Sequence, residues 1–482
     1  MSDSSTEKLG KKAVKAGTAY VVSNIAVKAA FALTTPIFVR MMTKAEYGTV
    51  SMFTSWSTLL YPFFSLQLAT SIGRAKIDYP DKLDEYTGSM QVLSAVVSAV
   101  WVLLSIILIV PVSGWLELTE METILLMLYM FFSPAISFRQ GILRYRYQVK
   151  QNIFIAWYTI LGTVVLSFVL MFFLKGDMAL YRCIGIAVPP ILLSVVFWAQ
   201  EAKKKTLRVN KGYWKYGWMI SGPMIIHQLS LYVLSQSDRV LITKFCGKED
   251  AGVYSLAYTI GVLLAVITNA ISDAWLPWFH DTYHAKRFED IKKNAKPLVA
   301  LGVYIGLATV ALAPELVLIF GGRKYMSGVY CVAPVAIGII CRYIYSHYVN
   351  IEIHLKKTKY ISIGTATAAV VNVILNFIFI PMYGYVAAAY TTLASYLLLM
   401  LMHYSITRFV LKVRIYDDIF MFASILLSVG ASILLLFTYD YTLLRYGIIL
   451  VGFLSFLFVF RDYIKKGWKV VKKRMHRSKA AE

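Results

Sequence analysis

The sequence is poor in charge, poor in cysteine and without any long polar stretch. Only 16% of its 482 residues are charged, where soluble domains carry about 25%, and the mean hydropathy is +0.63. A soluble enzyme is excluded. Apolar stretches long enough to span a bilayer, about 20 residues each, recur from end to end. About fourteen of them leave loops of roughly ten residues, so a channel with a large extramembrane domain is excluded as well. The four cysteines, Cys183, Cys246, Cys331 and Cys341, lie in or beside these stretches without metal-ligand spacing and read as packing residues. There is no G-x-x-x-x-G-K-[ST] run to build a P-loop, no H-E-x-x-H and no cysteine cluster, and no cofactor is expected. A removable leader is not expected either. The first fifteen residues are polar and basic (Lys8, Lys11, Lys12, Lys15), and the apolar stretch after them is long enough to stay as a helix.

What is present is an all-α polytopic pattern. Spans are expected near 14–39, 49–72, 88–112, 122–141, 152–174, 179–199, 217–243, 252–279, 298–320, 329–352, 360–380, 386–406, 418–437 and 443–461. The net charge of +23 invites a nucleic-acid reading, but topology explains it. With the N-terminus in the cytoplasm, most Lys and Arg fall in the N-tail, the loops 74–82, 144–150, 203–215, 286–296, 356–359 and 408–414, and the C-tail. The opposite side keeps Arg40, Lys44, Lys175, Lys244, Lys248, Arg323, Lys324 and Arg445. This is the positive-inside pattern of an even number of spans, N-in and C-in. The basic tail is then an anchor on an anionic leaflet, and no nucleic-acid partner is expected.

The chain also repeats itself. Arg40, Lys44, Glu46 and Gly48 after the first span match Lys244, Lys248, Asp250 and Gly252 after the seventh at a constant offset of 204 residues. Six spans separate the two segments, an even number, so the halves share one orientation and form a parallel repeat about an axis along the membrane normal. The expected architecture is an N-terminal six-helix lobe (1–205), a C-terminal six-helix lobe (206–406), two additional spans (407–462) and a basic tail (463–482).

Four groups of residues carry a resemblance over nearly the whole chain: Pro36…Arg40…Glu46-Tyr47-Gly48; Asp238-Arg239…Gly252-Val253-Tyr254; Ala313-Pro314-Glu315…Phe320-Gly321…Tyr325; and Asn372…Asn376…Pro381-Met382-Tyr383-Gly384…Ala387. With them the sequence resembles the Wzx-type oligosaccharide flippases, the polysaccharide biosynthesis branch of the multidrug/oligosaccharidyl-lipid/polysaccharide exporter superfamily. Ala387 stands where that family usually has glycine. The resemblance implies two lobes around a cavity that opens alternately to each side of the bacterial cytoplasmic membrane. It further implies movement of an undecaprenyl-diphosphate-linked oligosaccharide to the outer leaflet for O-antigen, capsule or exopolysaccharide synthesis. Membrane lipids, H+ or Na+, a polysaccharide polymerase and a chain-length regulator are the partners that follow from it.

Such a cargo needs cations in a wet cavity and polar or aromatic walls for the glycan. Lys28 lies mid-span, where a lysine costs about 2.5–3.5 kcal/mol, and shares a stripe with Gly17, Asn24 and Thr35. Lys28 and Asn24 are therefore candidate substrate contacts, against a snorkelling lysine. Arg239 is a candidate diphosphate ligand and its neighbour Asp238 a candidate coupling or gating acid. His227 and Asp238 are about 16 Å apart on one helix face. The alternative for the Asp238–Arg239 pair is an interhelical lock. Arg342 is a further candidate phosphate contact, against an ion pair with Glu352 or Asp273, and Asp273 is a candidate ion-coupling site. Asn372 and Asn376, one turn apart, suit sugar hydroxyls, although such amides more often join neighbouring helices. Arg74 and Arg139 sit near cytoplasmic ends, where a diphosphate would enter.

Three other functions compete. An ion-coupled multidrug exporter shares the two-lobe plan but favours acids for cationic cargo, whereas the mid-span charges here lean cationic. A flippase for the peptidoglycan precursor, lipid II, carries the same diphosphate. A membrane glycosyltransferase or polymerase would need a sizeable external loop, and every outer loop is short. No enzymatic activity is expected.

Overall fold

The computed structural model describes Ala30 and residues 34–479, with side chains to Tyr463. Lys28, Asn24 and Gly17, and with them the polar stripe of the first span, lie outside the described residues. After a helical segment at 34–41 come thirteen long helices among the described residues: α1 (Lys44–Ser65), α2 (Leu83–Ile107), α3 (Glu120–Tyr145), α4 (Val149–Phe173), α5 (Met178–Lys203), α6 (Lys211–Cys246), α7 (Lys248–His284), α8 (Phe288–Ala311), α9 (Val329–His354), α10 (Thr358–Tyr383), α11 (Tyr385–Ser405), α12 (Asp418–Leu436) and α13 (Thr442–Lys479). They follow the expected spans one for one. The molecule is an all-α, multi-pass membrane protein, and eleven of these helices are long and apolar enough to cross a bilayer.

The two long helices too polar to count among the eleven are α1 and α6, and their position explains it. α1 carries Ser51, Thr54, Ser55 and Thr58 on neighbouring turns, positions that fall on one face. Thr54 and Thr58 donate to their own backbone carbonyls at Val50 (3.1 Å) and Thr54 (2.9 Å), which hides a hydroxyl cheaply inside a membrane. That face meets α6 and α7 rather than lipid. Local capping starts α1 cleanly. The Thr43 side chain accepts from the Glu46 amide and Glu46 accepts from the Thr43 amide, a capping box.

The buried apolar side chains fall into separate groups. The largest draws almost wholly on residues 234–439, with Val39 as its contribution from the first half. A second draws on residues 38–187. Between them, α1 and α7 cross at very close range. A Cβ on Gly48 would stand 1.9 Å from the Lys248 carbonyl oxygen, and one on Gly252 would stand 2.2 Å from that of Lys44. The contact is reciprocal, as a two-fold relation requires, because Lys44 and Lys248 are themselves one repeat apart. The small residues of the repeated motif are therefore where two backbones touch.

Several ends differ from expectation. The third span stops at Ile107 and resumes as a separate helix, Ile109–Leu116. The seventh begins at Lys211 and the eighth runs on to His284, through polar and charged residues that the hydropathy pattern leaves out. All four cysteines are free.

Candidate functional site

At the α1–α7 crossing, α5 and α6 bring two arginines to one cavity of about 200 Å³. Arg182, near the start of α5, is 5% exposed. Its guanidinium lies 3.9 Å from the Phe38 ring centre and donates to the Ser167 Oγ at 2.6 Å. Arg239, on α6, is 8% exposed and lies 4.4 Å from the Tyr258 ring centre. It donates to the Ser235 carbonyl (2.8 Å) and to the Gln236 Oε1 (3.0 Å), and Gln236 also accepts from Ser55 of α1 at 3.1 Å. Hydroxyls of Thr54, Thr58 and Thr259 complete the polar wall.

Among the described residues no carboxylate lines this cavity. Each guanidinium is held by neutral acceptors and an aromatic face, so its charge is oriented but not cancelled. Two cations in low-dielectric walls make a positive focus, and the arginine fork matches phosphate oxygens. The arrangement suits an anion. Arg239, the candidate diphosphate ligand of the sequence, lines this cavity. Arg182 was not singled out, although its signal was legible: an arginine inside a span, within Tyr181-Arg182-Cys183.

Asp238 faces the opposite way, into the second half, and is fully buried. It accepts from the Tyr254 hydroxyl (2.5 Å), Asn376 Nδ2 (2.7 Å) and Thr392 Oγ1 (2.8 Å). Asn376 also donates to Asn372 Oδ1 (3.2 Å), which accepts from Ser237 as well (3.2 Å). Asn372 and Asn376 thus join α10 to α6 and α11, with no surface exposed to a sugar. In this arrangement Asn376 is spent on the Asp238 carboxylate and Asn372 on Asn376, Ser237 and Thr392, the helix-joining alternative for such amides. Asp238 is likewise an interhelical joint in this arrangement, and it does not pair with Arg239.

Arg342 donates to Asn269 Oδ1 at 3.3 Å. It pairs neither with Asp273 nor with Glu352, whose partner is His403 at 2.7 Å. Asp273 is exposed one turn from Asn269 on the same helix face, and Ser272 meets Ser346 of α9 at 3.4 Å. Asn269 lies about three turns from Tyr258 on the same face of α7, so this second polar surface continues along the helix face on which Arg239 rests. His227 is half-buried and its Nδ1 has no partner among the described residues. It lies about three turns from Asp238 and takes no part in that network.

Arg74 and Arg139 stay apart from these groups. Arg74 is paired with Asp78 at 2.9 Å on the basic face. The Tyr216 hydroxyl, donating at 2.5 Å, and Arg74 hold the Asp78 carboxyl below its ordinary range. Arg139 lies over the Phe197 ring and 3.5 Å from Glu201. Arg74 is thus engaged by a carboxylate on its own helix, and Arg139 shares Glu201 with Lys204, which pairs with it at 2.9 Å. Toward the same face, a cavity of about 390 Å³ is walled by Tyr61, Gln67, Thr70, Ser137, Gln140 and Arg144. It opens where α1 ends in two successive left-handed residues, Leu66 (φ 48°) and Gln67 (φ 50°), a conformation that costs energy for residues other than glycine.

Comparison with known proteins bears on this geometry. Residues 13–283 match the family described as "Polysaccharide biosynthesis protein". The chain is 22% identical over 292 residues to the "Lsg locus putative protein 1" of Haemophilus influenzae, covering 57% of this chain and 68% of that protein. Its fold is similar to that of the lipid II flippase MurJ in an inward closed conformation, with a TM-score of 0.75 at 14% identity over 92% of this chain and 99% of the other. It is also similar to an inward-facing multidrug resistance MATE family transporter of the MOP superfamily, with a TM-score of 0.63 at 14% identity over 81% and 98% of the two chains. The structural likenesses concern the fold. The family match covers more than half of the sequence, and the chain belongs to the polysaccharide biosynthesis protein family.

Proposed function

We propose that this protein is a flippase that moves undecaprenyl-diphosphate-linked oligosaccharide units from the cytoplasmic to the outer leaflet of a bacterial cytoplasmic membrane. The observation that carries the reading is the pair Arg182 and Arg239 on one cavity without a carboxylate. A multidrug carrier for cationic compounds needs the reverse polarity. A diphosphate is the part of the cargo that membrane passage penalises most, since unpaired charge in hydrocarbon is costly. Guanidiniums already desolvated against Phe38 and Tyr258 take its oxygens without first shedding water. The hydroxyl, amide and tyrosine walls of the larger cavity take the glycan, while the polyprenyl tail stays in lipid.

In this reading the lobes 1–205 and 206–406 rock against each other about the Gly48–Gly252 crossing, with 407–462 as two accessory spans and 463–482 as a basic anchor. Lys28 and Asn24, which lie outside the described residues, keep their role as candidate substrate contacts in this reading. The driving force is an H+ or Na+ gradient acting on acids of the second lobe. A polymerase and a chain-length regulator take up the product in O-antigen, capsule or exopolysaccharide assembly. The chain itself performs no covalent chemistry.

The test is leaflet accessibility. Pure protein is reconstituted in liposomes with an undecaprenyl-diphosphate oligosaccharide, and the sugar exposed to an impermeant glycosidase is followed with and without imposed pH or sodium gradients. Protein-dependent exposure beyond the outer-leaflet fraction is expected. Exposure of lipid II alone would reassign the cargo, and no exposure of any diphosphate lipid would sink the flippase reading.

A further inference from the structure

α9 and α11 bury a carboxylate and an imidazole against each other, away from both cavities. Glu352 Oε1 and His403 Nδ1 are 2.7 Å apart, and both side chains are wholly excluded from solvent. Only a polar interaction can hold two such groups in the interior, since an isolated charge there would cost several kcal/mol. The pair nevertheless differs from the neighbouring Asp238 network. There, each carboxylate oxygen has a donor. Here, Glu352 Oε2 and His403 Nε2 have no partner among the described residues. Nε2 points at Gly364 of α10, where even a methyl group would come within 2.6 Å of it. A joint needed only for rigidity would gain by completing these bonds. With both outer atoms unpartnered, the Oε1···Nδ1 contact is the one side-chain hydrogen bond each group makes among the described residues, and it holds a single proton whichever group carries it.

The surroundings connect the pair to the passage. Tyr345 of α9 packs on the His403 ring, with centroids 5.0 Å apart, and Arg342 lies one turn before it on the same helix. Arg342 is the half-exposed cation beside Asn269 and Asp273. The other titratable or charged groups near the pair are Tyr396 and Tyr404 of α11 and, toward α12, Arg408 facing Asp418 at 3.6 Å; α10 contributes Gly364. Both side chains are wholly excluded from solvent in this arrangement, so proton exchange requires the packing around the pair to open.

We propose that Glu352 and His403 form a proton-binding site that holds one exchangeable proton on the Oε1···Nδ1 axis and couples its uptake and release to the opening of the C-terminal lobe. The inference deepens the flippase reading and rests on it for the coupling, whereas proton binding itself is independent of cargo.

The experiment therefore begins without cargo. Infrared difference spectra of the full-length protein in lipid nanodiscs are titrated across roughly pH 4 to 8, where carboxyls and imidazoles ordinarily ionise. A protonated-carboxyl band that Glu352→Gln removes and Asp273→Asn keeps is expected. His403→Gln should shift the pH at which that band disappears. In wild-type protein with 15N-labelled histidine, the tautomer signal that is missing in His403→Gln should change over the same range. A protein in which neither the band nor the histidine signal titrates overturns the proposal, and the wild-type spectra alone suffice for that if a variant does not fold. In proteoliposomes that flip the diphosphate lipid, flipping by Glu352→Gln should no longer respond to a pH gradient. An unchanged response overturns the coupling. Absence of flipping in wild type would count against the proposed function and leave the infrared result to decide the proton site.

Discussion

The hydroxyls of Ser51 and Ser255 lie 2.5 Å apart, and the two residues are separated by 204 positions in the chain. A residue meets its own repeat counterpart only on the axis that relates the repeats. The Gly48–Lys248 and Gly252–Lys44 approaches one turn away are interchanged by that axis. The repeat motif is thus a contact rather than a relic, and the two-arginine cavity is built beside it, with both Ser51 and Ser255 in its wall.

This crossing should be intolerant of even one carbon. Gly48→Ala and Gly252→Ala place a methyl group against backbone carbonyls that cannot move aside, and overpacking of that kind costs about 1–3 kcal/mol. Gly430→Ala, which meets nothing within 4 Å, should be neutral or slightly stabilising. Thermal unfolding of the three variants in one detergent checks the order. Equal melting temperatures would mean that the lobes do not touch at Gly48.

Arg182→Ala and Arg239→Ala should each abolish most flipping while leaving the fold intact. A hydrogen bond to a charged group contributes about 1.5–3 kcal/mol, a loss of at least tenfold in transport. Arg239→Lys should recover little, because lysine has neither the phosphate-matching fork nor the planar face that lies on Tyr258. Glycan exposure in proteoliposomes measures the rate, and unfolding in detergent separates transport loss from misfolding.

Asp238→Ala should be structural in effect. It leaves the donors of Tyr254, Asn376 and Thr392 buried without an acceptor, at about 1–3 kcal/mol for each donor that stays unpaired. Asp238→Asn keeps one acceptor and should lose less. A drop in melting temperature for the alanine variant larger than for Arg239→Ala is expected; a melting curve like wild type would return Asp238 to a purely functional role.

The Asp78 contact on the basic face should respond to acid. Its carboxyl is held below the ordinary value of 3.8 chiefly by the Tyr216 hydroxyl and then by Arg74. The contribution is therefore complete above that value and is lost as pH falls through the lowered one. In Tyr216→Phe the loss should begin at higher pH. Wild-type and variant melting temperatures compared along an acid series test this, and identical profiles would show that Tyr216 does not hold the carboxyl.

By itself, the sequence determined the all-α multi-pass fold class, the order of the helices from Lys44 onward, and the repeat that meets at Ser51 and Ser255. These depend on local quantities: hydrocarbon thickness sets span length, and a motif with the same offset and orientation marks a duplicated unit. It also marked Arg239 as a cation needing a partner. Only the tertiary structure decided what each polar residue meets. Arg182 was one arginine among several until α5 packed beside α1 and brought it to the cavity that Arg239 lines. Asn372 and Asn376 had the right chemistry for a sugar, but α10 turned Asn376 onto Asp238 and Asn372 onto Thr392 and Ser237. Glu352 was matched with Arg342 by proximity on one helix, whereas His403, 51 residues away on α11, took it. In a membrane interior a polar side chain has few possible partners. The helix that supplies one is fixed by packing between distant spans, and no period within a single span reports it.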